Sequence, residues 1–376
     1  MFQIPKFSAS AMQNGKKPLV LISPLDWGLG HTTRCIPIIH ELVQQGCTII
    51  IACNSIQKAL LISEFPRLSF VNLQGYDLKY GKTRWGTVLR IIFQIPKILI
   101  RINNEKRWLN IFLKQQPVDI IISDNRFGLQ ARSVYSIFIT HQLYIKTGLG
   151  NIADKFVQWL NCRRIARFNT CWVPDYKGPQ SLAGKLSNPG KLPPLPVQYL
   201  GGLSRLKPCH GETNPIDLLI ILSGPEPQRS IFENKLLHEL NGYTGKAVLV
   251  RGLPESKDVI KIGNNITVYN YAPVNLLNKL ICSAAYIISR SGYTTVMDVL
   301  KLQKKSIFVP TPGQAEQEYL AEYLHSKQLA YTVSQQQFSL EAALKAAHQF
   351  PYSEQVFSME DYKLVIRELL EAGGTK

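Results

Sequence analysis

The sequence is short of acidic residues. Its 376 residues include 43 Lys and Arg but only 26 Asp and Glu, which gives a formal net charge of +17. Such an excess favours anionic partners, namely nucleic acid, an acidic membrane surface or phosphorylated substrates, and says nothing about the fold. No helix-turn-helix, zinc or RNA-binding signature accompanies the charge, so we expect no nucleic acid partner.

Long apolar runs and paired cysteines are also lacking. The nearest approach to a membrane span, Val88–Ile102, is interrupted by three basic residues and falls short of roughly 18 uncharged residues. The seven cysteines form neither a Cys-x-x-Cys pair nor a metal-binding cluster with histidine. The N-terminus has no secretory h-region. These observations predict a cytoplasmic protein with reduced, mostly buried thiols and no bound metal.

Two phosphate-binding motifs are incomplete. Gly28 and Gly30 match the first two glycines of the dinucleotide fingerprint, but Thr33 stands at the third position. Asn54 closes the second strand, where that fingerprint needs an acid for the ribose. The sequence also lacks a Walker A loop and any Asp-x-Asp pair for a divalent ion on a sugar diphosphate. We therefore expect no dinucleotide cofactor and no required metal.

Short Val- and Ile-rich runs alternate with helical patterns along the whole chain. This alternation predicts α/β architecture with parallel sheets buried on both faces. A Pro- and Gly-rich stretch, about residues 178–215, interrupts the pattern, which then starts again. The sequence thus predicts two doubly wound, Rossmann-like domains, 1–203 and 204–376, facing across a cleft. The last helix is free to pack back on the first domain. Ligands of such sheets bind at the carboxyl ends of the strands.

Four segments resemble glycosyltransferase family 28, which has the glycosyltransferase B fold. They are the glycine loop Gly28–His31, the strand end Thr140–Gln142, the donor motif Ile288–Leu300 and the Pro-rich loop and helix Val309–Leu324. The resemblance implies inverting, metal-independent transfer of a hexose or N-acetylhexosamine from a nucleotide sugar, expected to be UDP-linked, to a lipid-linked or membrane-held acceptor. The identity of the sugar cannot be taken from the family, because Gln317-Glu318 stands where the family has a Gln-Gln pair.

Donor-binding candidates lie in the second half. Gly224 allows close backbone approach before a helix, and Arg229 adds a cation. Backbone N–H groups at Ser291 and Gly292 suit a diphosphate, and Asp298, one turn into that helix, suits a ribose in place of the family's glutamate. The remaining candidates are Tyr271 for the base and Glu316 and Gln317 for the sugar. A plain strand-to-helix turn or a solvated helix face would explain several of these residues equally well.

The catalytic base is expected in the first half. His31 is the first candidate, because it follows a glycine turn at a helix N-terminus, where neutral imidazole is favoured. Asp124 and His141 end apolar strands and compete for the role, and Asp26 is a third option that also suits a turn. Acceptor-binding candidates are Gly28, Gly30, Arg126, His141 and Gln142.

A basic, aromatic-rich stretch covers residues 84–116. Anchors such as Phe93 and Trp108 alternate there with Arg90, Lys97 and Arg101, a composition that suits a helix on the anionic, cytoplasmic face of a membrane. A core-packed helix with a solvated basic face is the alternative. For the whole chain, the other functions considered are a nucleotide-sugar 2-epimerase and a non-catalytic basic protein that binds membranes or nucleic acid.

Overall fold

The computed structural model describes residues 17–77, 81, 84–209, 216–224, 226–253 and 258–374. For residues 84, 85, 87–89, 91, 92, 373 and 374 it describes the backbone alone. The chain forms two compact units. The first comprises Met1–Leu78, Ile92–Arg205 and Ser358–Lys376, and the second comprises Lys79–Ile91 and Leu206–Phe357. Relative to the predicted ranges, residues 79–91 group with the second unit and the C-terminal helix with the first.

The first unit contains a seven-stranded parallel sheet. Its Val- and Ile-rich strands are buried on both faces, which is why they read as unbroken apolar runs. The strand order is β3-β2-β1-β4-β5-β6-β7, so the order reverses between β1 and β4. In chain order the strands are β1 (Leu19–Pro24), β2 (Thr48–Cys53), β3 (Ser69–Asn72), β4 (Ile120–Asp124), β5 (Tyr135–Ile139), β6 (Thr170–Val173) and β7 (Val197–Tyr199).

Four helices of the first half connect these strands: α1 (Leu29–Gln44), α2 (Ser55–Glu64), α3 (Arg84–Gln115) and α4 (Asn151–Ile165). Asn54 begins α2 with a capping box, in which its Oδ1 accepts a hydrogen bond from the Gln57 backbone N–H at 2.9 Å. A proline inside a helix removes a backbone hydrogen bond and can break or kink it, but α3 continues through Pro96.

The second unit contains a seven-stranded sheet in the order β10-β11-β9-β8-β12-β13-β14, which reverses between β8 and β12. Only β10 runs antiparallel to its neighbour among the described pairs. The strands are β8 (Ile216–Ile221), β9 (Ala247–Val250), β10 (Val259–Ile262), β11 (Ile266–Tyr269), β12 (Ala284–Ser289), β13 (Lys305–Phe308) and β14 (Tyr331–Thr332). The helices are α5 (Gln228–Leu240), α6 (Val274–Ser283), α7 (Tyr293–Lys301), α8 (Ala315–Ser326) and α9 (Leu340–Gln349).

The last helix, α10 (Asp361–Gly374), belongs to the first unit and packs on α1. Its Ile366 and Leu369 are buried. Arg367 Nε also lies 3.5 Å from Oε1 of the buried Glu41 on α1. The C-terminal residues therefore complete the core of the first unit.

The prediction that all thiols are reduced is wrong for one pair. Cys209 and Cys282 form a disulfide, with Cα atoms 5.4 Å apart, although 73 residues separate them and no spacing motif marks the pair. The five other cysteines are free, and four of them are buried. No helix within the described ranges is long and apolar enough to cross a membrane.

Candidate functional site

The carboxyl edge of the first sheet carries the first candidate site. Gly28 turns the chain from β1 into α1 with φ of +88°, a conformation that glycine adopts without strain, and a Cβ there would meet no atom within 4 Å. This turn places His31 in the first turn of α1. Pro24 at the end of β1 is in register with Asp124 at the end of β4. His31 and Asp124 therefore meet where the strand order reverses, the usual ligand position in such sheets.

An arginine joins these two residues. Arg34, one helical turn after His31, donates from Nε to Asp124 Oδ2 at 2.8 Å, and its Nη2 donates to Asp124 Oδ1. His31 Nδ1 lies 3.1 Å from the same Oδ1. Arg34 and Asp124 are buried, whereas the His31 side chain remains 16% exposed. The cluster thus encloses an ion pair and leaves only its imidazole accessible.

The surroundings set the protonation of both groups. Burial, followed by the Arg34 charge, lowers the pKa of His31 against the opposing effect of Asp124. Burial alone would raise the pKa of Asp124, but Arg34 and His31 outweigh it, and the pKa lies well below its ordinary range. At neutral pH an ionised carboxylate therefore faces a neutral imidazole.

The two contacts of His31 Nδ1 call for different tautomers. Asp124 Oδ1 only accepts hydrogen bonds, so that contact needs a proton on Nδ1, whereas Arg34 Nη2, 2.9 Å from the same atom, only donates and needs the Nδ1 lone pair. The tautomer with the proton on Nδ1 has its lone pair on Nε2, which has no hydrogen-bond partner among the described residues. In that tautomer His31 can act as a base.

His141 lies on the opposite side of Arg34. It follows β5, is 3% exposed, and its Nδ1 lies 3.0 Å from Arg34 Nη1. Because guanidinium only donates, His141 Nδ1 accepts and a neutral ring carries its proton on Nε2. His31 is the more exposed of the two rings, which favours it over His141 as the base. Arg34 was missed in the sequence, although its i,i+3 spacing from His31 places both on one helix face.

Arg126 was predicted to contact an anionic acceptor, and its environment contradicts this. The guanidinium is fully buried, 3.2 Å from Glu105 Oε1 and 3.7 Å from Asp26 Oδ1. Asp26 in turn accepts hydrogen bonds from the Tyr76 backbone N–H, the nearer at 2.9 Å. Arg126 is thus enclosed by acids of its own unit. The Asp26 carbonyl also accepts from the Gly28 backbone N–H at 2.9 Å, in the turn that the sequence offered as the alternative role of this residue.

The other acceptor candidates lie near the cluster. Gly30 is in the first turn of α1, where its carbonyl accepts from Thr33 Oγ1 at 3.1 Å. Gln142 follows His141, and its carbonyl accepts from Asn161 Nδ2 on α4 at 3.0 Å. The roles of Gly28, Gly30 and Gln142 in acceptor binding stay predictions.

The carboxyl edge of the second sheet is built differently. Gly224 follows β8 with φ of +104°, and Gly292 is the N-cap of α7 after β12; a Cβ at either would meet no atom within 4 Å. The backbone in front of α5 and α7 is therefore approachable. Free N–H groups at such helix N-termini bind phosphate. Ser291 is buried, and its Oγ donates to the Gln317 carbonyl at 2.8 Å, which ties α7 to α8.

Two arginines at this edge differ from expectation. Arg229, predicted as a cation for the diphosphate, pairs with Glu226 and Glu233 on its own turn and helix, so its charge is already neutralised. Arg290, missed in the sequence, is fully buried and stacks over Phe232 at 4.3 Å. Burial lowers its pKa to about 9.

The partners of Arg290 are neutral. Its guanidinium donates to the carbonyls of Gln228 at 3.0 Å and Val309 at 3.1 Å, and also to the Pro310 carbonyl and Gln335 Oε1. No carboxylate contacts it within the ranges that the structure describes. Arg290 therefore fastens the loops after β8 and β13 and leaves a buried positive charge between them.

The remaining donor candidates lie on or beside α7, α8 and β11. Gln317 is 8% exposed, and its Oε1 accepts from the Thr311 backbone N–H at 2.9 Å, which shapes the Pro-rich loop. Glu316 and Asp298 are half-buried, and Asp298 lies one turn into α7, where it was predicted. Tyr271 is half-buried two residues after β11. Their donor contacts stay predictions. The described residues contain no group of His, Cys, Asp and Glu side chains suited to hold a metal ion.

Solved structures that share this fold are glycosyltransferases. The glycotransferase of kitacinnamycin aligns with a TM-score of 0.63 at 14% identity, covering 95% of this chain and 96% of that one. Acinetobacter baumannii MurG aligns with a TM-score of 0.52 at 15% identity, covering 95% and 94%. These similarities identify the glycosyltransferase B fold.

Sequence comparisons show similarity to glycosyltransferase family 28. Residues 232–363 match the model of the glycosyltransferase family 28 C-terminal domain. The UDP-N-acetylglucosamine–N-acetylmuramyl-(pentapeptide) pyrophosphoryl-undecaprenol N-acetylglucosamine transferase of Buchnera aphidicola subsp. Schizaphis graminum is 24% identical over 334 residues, covering 84% of this chain and 85% of that protein. Its Clostridium perfringens (strain SM101) counterpart is 26% identical over 301 residues, covering 76% of each. The resemblance to glycosyltransferase family 28 that the four motifs indicated is thus confirmed, and the chain is a glycosyltransferase.

Proposed function

We propose that the protein transfers a sugar from a UDP-sugar to a lipid-linked acceptor with inversion at the anomeric carbon. The observation that carries the proposal is the pairing of an accessible, neutral His31 with a buried, ionised Asp124. The donor and acceptor classes follow the names of the similar transferases, which act on UDP-N-acetylglucosamine and a pyrophosphoryl-undecaprenol.

In the proposed reaction, the acceptor hydroxyl loses its proton to His31 Nε2. Its oxygen forms a bond to the anomeric carbon while the bond from that carbon to the diphosphate oxygen breaks, and UDP leaves with the electron pair. Asp124 accepts from Nδ1–H and stabilises the imidazolium that forms. Because one displacement occurs on the face opposite the leaving group, the anomeric configuration inverts.

The donor is proposed to bind at the second sheet. The open N-termini of α5 and α7 direct backbone N–H groups toward the diphosphate, and the positive Arg290 behind them supports the same charge. This arrangement supports departure of UDP without a metal ion. Asp298, Tyr271, Glu316 and Gln317 are proposed to contact the ribose, the base and the sugar.

Membrane contact through residues 84–116, on the cytoplasmic face, stays part of the proposal. On α3, Phe93, Ile100 and Ile111 are 80%, 61% and 60% exposed. Two of the cations predicted to contact the membrane instead contact Asp77. Lys97 Nζ donates to the Asp77 carbonyl at 2.7 Å, and Arg101 pairs with the Asp77 side chain at 3.6 Å. Lipid contact would thus depend mainly on the apolar residues of α3.

The test is a transfer assay with purified protein, UDP-N-acetylglucosamine or UDP-glucose, and a short-chain polyprenyl pyrophosphoryl acceptor. UDP release and a glycosylated product of the opposite anomeric configuration are expected, with equal rates in EDTA. Retention of configuration would refute the proposed displacement. Loss of activity in EDTA would refute the metal-free donor site. Conversion of the donor to its 2-epimer would show that the protein is an epimerase instead of a transferase.

A further inference from the structure

Helix α4 buries two polar side chains beside Ile165 and exposes three large apolar ones. Asp154 and Asn161 are 7% and 5% exposed, whereas Ile152, Phe156 and Trp159 are 88%, 60% and 53% exposed. The spacing of the three apolar residues places them on one helix face, opposite the two buried polar residues. A globular helix normally buries such a stripe.

Hydrogen bonds of the two buried polar side chains fix the orientation of α4. Asp154 Oδ1 accepts from the backbone N–H of Thr147 at 2.8 Å and from its Oγ1 at 2.6 Å. Asn161 Nδ2 donates to the Gln142 carbonyl at 3.0 Å. Rotation of α4 to bury its apolar face would break these hydrogen bonds. The apolar stripe is therefore held outward by the first unit itself.

Cations surround the stripe. Arg163 lies over the Trp159 ring at 5.4 Å, and Lys146, Lys155 and Arg167 are exposed nearby in the chain. The only acid between residues 146 and 169 is the buried Asp154. The exposed surface thus combines large apolar side chains, including a tryptophan, with positive charge alone, the combination that binds the interface of an anionic bilayer.

We propose that the α4 stripe, defined as Leu149, Ile152, Phe156 and Trp159, inserts into the interface of an anionic lipid bilayer. Leu149, 46% exposed, extends the stripe beyond the start of the helix. Through Asn161 and Gln142, α4 is linked to the segment that carries His141. The stripe is separate from residues 84–116, and its membrane binding does not depend on the proposed transfer reaction.

The test compares binding to vesicles of phosphatidylcholine with about 30% phosphatidylglycerol. A variant with Ile152→Ser, Phe156→Ser and Trp159→Ser is expected to bind at least about tenfold more weakly than the unmodified protein. The matched control, Val356→Ser with Leu364→Ser, removes residues that are 73% and 61% exposed elsewhere and is expected to change binding less than about twofold. Pure phosphatidylcholine vesicles are expected to bind weakly.

Transfer to a water-soluble acceptor should stay unchanged in the stripe variant, which separates membrane docking from catalysis. Should the triple variant fail to fold, Trp159→Ser and Lys155→Glu provide single changes with the same expected direction. Unchanged vesicle binding by the variants would overturn the proposal. Equal binding to neutral and anionic vesicles would also overturn it. A lower oligomeric state of the variant would overturn it too, because the stripe would then contact another copy of the chain.

Discussion

The two sheets each place a fully buried arginine at the edge where the strand order reverses, but with opposite partners. In the first unit Arg34 contacts the Asp124 carboxylate and two imidazoles. In the second unit Arg290 contacts carbonyls, one side-chain amide and an aromatic ring. The first charge is neutralised within its unit, whereas the second is not.

This difference separates two kinds of chemistry. Around Arg34, a buried carboxylate lies against the accessible imidazole of His31, so that edge is suited to proton transfer. Around Arg290, the positive charge adds to two approachable helix N-termini, so that edge is suited to bind an anion. The same strand–turn–helix plan thus supports both roles, and the partners of the buried cation decide between them.

The strongest test of the first edge is His31→Ala. Loss of the base is expected to reduce kcat by about 10²- to 10⁴-fold. UDP affinity should stay unchanged in titration calorimetry, because His31 lies in the other unit. His40→Ala, an exposed histidine of the same helix, serves as the control and should retain activity. Retained turnover in His31→Ala would exclude it as the base.

Arg34→Met should destabilise the first unit strongly. It leaves the Asp124 carboxylate buried without its main partner, a change that costs about 3–5 kcal/mol. The measurement is denaturant unfolding. Adding Asp124→Asn to Arg34→Met is expected to restore part of the lost free energy, because the unpaired charge disappears. Equal stability of the single and double variants would show that the ion pair is not the source.

Arg290→Met should act on the second edge. Four acceptors lose their donor, so we expect a loss of about 1–3 kcal/mol in the free energy of unfolding, together with weaker UDP binding. Arg290→Lys keeps the charge and should retain more UDP affinity than Arg290→Met at similar stability. Identical UDP affinity in both variants would remove the electrostatic role assigned to Arg290.

Gly292→Ala tests whether the diphosphate binds at the N-terminus of α7. Gly292 has φ of −68° and open space around it, so alanine fits without strain. Its methyl group would nevertheless occupy space in front of α7, and UDP affinity is expected to fall about tenfold with an unchanged Tm. Gly242→Ala, also in open space, is the control. Unchanged UDP affinity would place the diphosphate elsewhere.

The smallest effect concerns pH. The pKa of His31 is lowered, so its neutral, basic form persists to lower pH than an ordinary histidine. The acidic limb of kcat should therefore lie below about pH 6.5. Since unfolded His31 binds a proton more readily than folded His31, its contribution to stability is present above this pH and is lost as the pH falls. An acidic limb above pH 6.5 would contradict the neutral imidazole.

Much of the fold was readable from the sequence. The predicted alternation of apolar runs and helical patterns forms two largely parallel sheets, because strands buried on both faces leave unbroken apolar signals. The missed strands are weak ones: β10 is an antiparallel edge strand with four exposed residues, and β14 has two residues. A surface edge strand has no apolar pattern to detect.

The site was less readable, because cations look alike in a sequence. Arg126 and Arg229 seemed available for anions, whereas the fold encloses both with acids. Glu233 lies four residues after Arg229, so that pairing was visible as helix spacing. Glu105 and Arg126 meet only through the tertiary fold. Arg34 was missed because a buried charge on an apolar helix face has meaning only once its partner strand is known.

The placement of α10 has a consequence for synthesis of the chain. The second unit lies almost wholly within residues 206–357, whereas the first unit needs α10, which follows the second unit in the chain. We therefore expect the second unit to reach its native state first during translation, although its residues follow most of the first unit. A nascent chain stalled before Asp361 would leave α1 without its partner helix. The sheet edge that carries His31 is thus completed by a helix made more than 300 residues later.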